Sequence, residues 1–134
     1  MSFDRGQVLE RVAAAVAGLP VVAAYVFGSV ARGDTIAHDL DVAVVPADGA
    51  DAPAVLDAVA RRLADVGEVD VVDLRRAPLR LAGRILTEGR LAASVDEAAR
   101  VRFEATTRSL FFDFAPFAEA SDRAYLAAVA EGRA

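Results

Sequence analysis

The chain has no cysteine, no tryptophan and no lysine, and only one histidine, among its 134 residues. Without cysteine there is no disulfide framework and no thiolate metal site. His38 stands alone, so no second ring is available for a zinc site, and it reads as a turn residue. All 15 basic residues are Arg, a bias that reads as genomic composition rather than function. A basic excess is also missing: the net charge of −5 argues against direct, non-specific nucleic-acid binding. No membrane span is expected. Val12 to Ala31 runs 20 residues without a charge, but Gly18 and Pro20 interrupt it, so it reads as a helix end and a buried strand. The opening Met1-Ser2-Phe3-Asp4-Arg5 does not look like the basic start of a signal peptide. These absences lead us to expect a cytoplasmic protein. No internal repeat, low-complexity linker or second domain is visible. One domain over 1–134 is expected, with a core at about 1–92 and a helical segment at about 94–132.

What is present supports a packed globule: 55% of residues are hydrophobic and 7 are Phe. Val8, Val12, Ala15 and Val16 share one side of a helix over 4–17, which Gly18-Leu19-Pro20 ends. Val21 to Phe27 is a continuous apolar run, hence a buried strand. Asp39 to Val45 predicts a second strand. Asp51 is placed to cap a helix carrying Val55, Leu56, Val59, Leu63 and Val66, with Pro53 in its first turn and Gly67 at its end. Glu68 to Leu74 predicts a third strand. Further on, Ser94 and Glu97 match a capping box for a helix through Phe103 and Phe111. Asp113-Phe114-Ala115-Pro116 marks a break, and Phe117, Tyr125, Leu126 and Val129 continue as a last helix. The pairs Arg61-Arg62 and Arg75-Arg76 read as solvated surface. The fold class is therefore α/β (α+β), a small mixed sheet packed by helices.

Chemistry concentrates between the first two strands. Gly28-Ser29 forms a small-residue turn whose backbone N–H groups and hydroxyl suit a phosphate. Ser29 can also cap a short helix carrying Val30 to Gly33. Asp39 and Asp41 lie two apart on a strand and so share a face. Such a pair repels unless a cation sits between, and oxygen-only ligation suits Mg²⁺ completed by substrate phosphates. A helix joins the second and third strands, which makes them parallel and brings the start of the third to the same end. That places Asp70 near Asp39 and Asp41. Asp73 competes for this role but lies on the opposite face and nearer the far end. The short connection between strands one and two makes them antiparallel, so Gly28-Ser29 arrives at this end as well. Arg32 is a candidate for a charge-assisted phosphate contact, with a plain surface role as the alternative.

Gly28-Ser29, a nine-residue spacer and Asp39-Leu40-Asp41 together resemble the signature of DNA polymerase beta-like nucleotidyltransferases. The string Gly28-Ser29-Val30-Ala31-Arg32-Gly33 is similar to that of the minimal nucleotidyltransferases, many of them antitoxins encoded beside a HEPN-domain toxin. The likeness covers roughly residues 20–75 best. His38 departs from it, standing where Ser is common, and the spacer is often one residue longer. The resemblance implies a chain that uses ATP and Mg²⁺, two ions in all, to transfer AMP to a Tyr hydroxyl of a HEPN RNase toxin. Asp39, Asp41 and Asp70 would be the catalytic and metal-binding residues, and Gly28, Ser29 and Arg32 would hold phosphate. A HEPN toxin is the expected partner, and self-association stays open. Two other readings remain: an antitoxin acting by binding alone, and a small-molecule, antibiotic-type nucleotidyltransferase. Most of the aromatics Phe103, Phe111, Phe112, Phe114, Phe117 and Tyr125 are expected to close the core, with some left as a partner patch.

Overall fold

A computed structural model of the protein describes residues 4–28, 39–114 and 119–132. Asp4 starts the first helix, α1 (Arg5–Val16), through a reciprocal cap. Its carboxylate accepts from the Gln7 N–H at 2.8 Å, and its own N–H donates to Gln7 Oε1 at 2.9 Å. Val8, Val12, Ala15 and Val16 form the buried stripe of α1, as their spacing predicts. Strand β1 (Val21–Phe27) follows and is buried almost throughout. β2 (Asp39–Pro46) leads to α2 (Ala52–Arg62), which Asp51 caps by accepting from the Ala54 N–H. β3 (Glu68–Asp73) completes a β2–α2–β3 crossover.

The next two elements, α3 (Leu79–Glu88) and β4 (Arg90–Ser94), were not assigned from the sequence. Gly89 makes the reversal between them: a Cβ there would sit 2.5 Å from the Ile85 carbonyl oxygen. The chain ends in α4 (Glu97–Phe114) and α5 (Glu119–Ala130). The expected break at 115–118 and Phe117 lie outside the described residues.

The four strands are ordered β3-β2-β1-β4. β1 pairs antiparallel with β2 and β4, while β2 and β3 are parallel. Strand alternation sends Leu40, Val42 and Val44 to a face covered by α1 and α2, where Val12, Val59 and Leu63 complete the core. Ala43, Val45 and Val72 point to the other face, against Leu81, Ile85 and Leu86 of α3. Phe103 of α4 and Tyr125 of α5 pack on that same cluster. No helix among the described residues is long and apolar enough to cross a membrane.

Four local expectations need correction. α2 ends at Arg62, where the Leu63 N–H folds back on the last carbonyls; Gly67 (φ 144°) serves the entry to β3 instead. Ser94 finishes β4, and α4 is capped by Asp96, which accepts from the Ala99 N–H at 3.1 Å. Arg62 is not merely solvated. Its guanidinium donates to the Ala15 and Ala17 carbonyls at 3.0 Å each, which satisfies the C-terminus of α1. Arg75 likewise donates to the Pro46 carbonyl at 2.6 Å and lies over the Phe103 ring.

Candidate active site

One row of paired residues crosses three strands. Phe27 is opposite Asp41 in the β1–β2 ladder, and Asp41 is opposite Asp70 in the β2–β3 ladder. Parallel neighbours lie about 4.8 Å apart, so the two carboxylates leave adjacent backbones side by side. Both are half-buried. Two like charges at paired positions are unfavourable in isolation, and a cation between them removes the cost.

Gly28 follows Phe27 with φ 76°, a conformation that other residues adopt only with strain. The space where its Cβ would stand is taken by the Asp41 carboxylate. Glycine here is thus required twice, by the turn and by the close approach. It brings bare backbone against an acidic side chain.

Asp39 shares the face of Asp41 but is one step further out, paired with Glu68 and exposed. It does not line the cavity described below. Ser29, Arg32 and His38, and the short helix expected after Ser29, lie outside the described residues. Asp73, the competing carboxylate, pairs with Val44 and is buried, accepting from the Arg75 N–H at 2.9 Å. The structure therefore brings Gly28, Asp41 and Asp70 together and keeps Asp73 away. Among the described residues, no three His, Cys, Asp or Glu side chains gather tightly enough to hold a metal by protein atoms alone.

The three residues open on a cavity of about 360 Å³. Phe27, Leu81, Ile85 and Leu126 make its apolar wall. Arg84 and Glu88, one turn apart on α3, add charge. Sequence reasoning missed these α3 residues. The signal existed: Leu81-Ala82 and Ile85-Leu86 repeat at helical spacing, which puts Arg84 and Glu88 on a shared side.

α3 is locked in place by α4. A Cβ on Gly83 would run into the Phe111 ring, so the ring packs directly on the α3 backbone. Arg108 donates to the Leu86 carbonyl at 2.9 Å, at the C-terminal end of α3. α4 is tied to the sheet through Glu104, whose Oε2 accepts from Tyr25 Oη at 2.8 Å and from Arg100 at 2.6 Å. Burial pushes the Glu104 carboxyl up, but the hydrogen bonds from Tyr25, Arg100 and Arg108 outweigh it and hold the group below its ordinary value. Burial, then the Glu104 partner, raises the Tyr25 hydroxyl.

The sequence model of the family described as "Polymerase beta, Nucleotidyltransferase" matches residues 13–98. The chain belongs to this family. The matched span holds Gly28, Asp39, Asp41 and Asp70, and also Arg84 and Glu88 of α3. No curated protein matches the chain. Solved structures share its nucleotidyltransferase fold. One, a toxin–antitoxin complex with AMP-PNP, contains a chain 24% identical with a TM-score of 0.62, covering 95% of this chain and 98% of that one. A second, a mutant MntA-HpeT toxin–antitoxin complex, matches at 22% identity and TM-score 0.61 over 95% and 98%. A third is a tri-AMPylated Shewanella oneidensis HEPN toxin in complex with MNT antitoxin, at 24% identity and TM-score 0.56 over 93% and 94%. At these identities the likeness is one of fold. It extends past the matched family span into α4 and α5.

Proposed function

We propose that this nucleotidyltransferase is an antitoxin that transfers AMP from ATP to a Tyr hydroxyl of a partner HEPN toxin and so silences it. The observation that carries the catalytic reading is Asp41 beside Asp70 and against the Gly28 turn, at one end of a cavity. The fold neighbours support the partner: their names join a toxin with an antitoxin, and one of them names a tri-AMPylated HEPN toxin. The whole chain would act as one minimal nucleotidyltransferase domain in the cytoplasm.

The donor set fits Mg²⁺, which takes one or two carboxylates and completes its shell with water and phosphate oxygens. Asp41, Asp70 and Asp39 would hold such ions. Bound there, the metal supplies charge neutralisation for the attacking oxygen and the departing pyrophosphate.

The remaining work falls to the chain itself. The Gly28 turn offers bare backbone N–H groups to the β- and γ-phosphates, with Ser29 and Arg32 as further contacts. Asp70 accepts the proton of the acceptor hydroxyl. The acceptor oxygen then bonds to the α-phosphorus, and the bond from that phosphorus to the oxygen bridging the β-phosphate breaks. Pyrophosphate leaves with the electron pair. The apolar wall of Phe27, Leu81 and Ile85 keeps water from competing as acceptor.

A second reading, neutralisation by binding alone, draws on one observation: Val101 and Phe112 of α4 are exposed, Phe112 at 78%. One experiment separates these readings. The chain is incubated with α-labelled ATP, Mg²⁺ and the purified product of the adjacent gene, beside an Asp41→Asn/Asp70→Asn variant. Label on the partner with the unaltered chain alone supports transfer. A stable complex without label supports binding alone.

A further inference from the structure

Among the described residues, the cavity is short of positive charge. Among the described residues that line it, Asp41, Asp70 and Glu88 are acidic and Arg84 is the one cation. Arg84 makes no ion pair with a described residue, although Glu88 is one turn away. It rises from α3 beside Leu81 and Ile85, which hold that helix against the sheet, while its own side chain is exposed. α3 in turn is fixed by the Gly83–Phe111 contact and by Arg108 at its C-terminal end. A guanidinium on a packed helix, lining the same cavity as Asp41 and Asp70, has a planar fork of donors suited to phosphate oxygens.

We propose that Arg84 binds the β- and γ-phosphates of the nucleoside triphosphate, opposite the carboxylates, and stabilises pyrophosphate as it leaves. This rests on the nucleotidyl-transfer reading of the site. A triphosphate brings several negative charges into a cavity whose described lining is already acidic, and the charge on the α–β bridging oxygen grows as its bond breaks. Arg84 meets that charge from the α3 side, independently of the Gly28 turn. Glu88 repels free anions that lack a bound cation, which favours the metal-bound form of the triphosphate.

The test is equilibrium binding by calorimetry in Mg²⁺ buffer, with ATP, AMP and pyrophosphate as separate probes. The unaltered chain is compared with Arg84→Ala, Arg84→Lys and Glu88→Gln. The expected result is a loss of about tenfold to a hundredfold in affinity for ATP and pyrophosphate in Arg84→Ala, the scale of one charge-assisted contact. AMP binding stays unchanged, and Arg84→Lys retains part of the loss. Equal weakening of ATP and AMP, or no weakening of either, overturns the proposal while leaving nucleotide binding by the unaltered chain intact. No ATP binding by the unaltered chain removes the site reading itself, and the proposal with it. Arg84 is exposed, so folding should survive; should Arg84→Ala melt early, the ATP-to-AMP affinity ratio of Arg84→Lys carries the same decision.

Discussion

On the α1–α2 side of the sheet, Val12, Val42, Val44, Val59 and Leu63 are fully buried in one apolar cluster. On the α3–α5 side the same strands carry Asp41 and Asp70 at one end, and Tyr25 bonded to Glu104 further along β1. The first face is closed by side chains alone. The second is closed by fewer apolar groups, a glycine-mediated helix contact and a polar network, and it leaves a cavity. The contrast teaches that scaffold and site can share the same three strands. Alternation lets each strand send one set of side chains to packing and the other to chemistry.

If that division holds, changes on the two faces should have different signatures. The largest effect is expected from Asp41→Asn with Asp70→Asn. Label transfer should fall by about a thousandfold or more, while the thermal midpoint stays level or rises as paired like charges are removed. Loss of both activity and folding would assign these residues to the scaffold instead.

On the opposite face, Leu63→Ala should cost about 2–5 kcal/mol in denaturant unfolding and leave the activity of each folded molecule intact. Gly83→Val tests the boundary. It forces α3 away from Phe111, so a loss of about 1–3 kcal/mol should come with a rise in KM, because Arg84 moves with α3. Stability lost without any change in KM would separate α3 from substrate binding.

The smallest effect is expected from Tyr25→Phe, about 1 kcal/mol at neutral pH. It also reports on pH. The folded-state pKa of Tyr25 lies above its ordinary 10.0, so its contribution is fully present below pH 10.0 and is lost as pH rises beyond it. Glu104 is held below its ordinary 4.5, so its contribution is present above that pH and is lost as pH falls below it. Melting curves across both limbs should show Tyr25→Phe flattening the alkaline one.

Part of the fold was legible because the periodicities were strong. The stripe of Val8, Val12, Ala15 and Val16, the uninterrupted Val21 to Phe27 and the Asp51–Pro53 start of α2 each carry one interpretation. Residues 79–94 were not read. Leu81-Ala82 and Ile85-Leu86 are short apolar pairs, and β4 is an edge strand with little burial, so neither stands out from a loop. Asp96 won over Ser94 as the cap of α4 because β4 holds Ser94 in its ladder opposite Ala23, which delays the helix by two residues. Arg62 and Arg75 looked like surface because charge alone says nothing about which distant carbonyl a guanidinium can reach.

The sequence by itself determined that β1 and β2 run antiparallel and β2 and β3 parallel, as the structure has them, but not that β4 joins β1. Connection length and chirality leave little choice once β1, α2 and the two acidic positions are recognised, so Gly28, Asp41 and Asp70 had to share one end of the sheet. Only tertiary structure decided that Asp41 and Asp70 stand in register, with Asp39 one step outside. It also decided that the Gly28 turn presses on the Asp41 carboxylate, and that Arg84 of α3 lines the same cavity. Those facts depend on register, on helix packing at Gly83 and on close contact between residues far apart in the chain. Local periodicity carries none of this information, because it records which side of an element is apolar and not what that side meets.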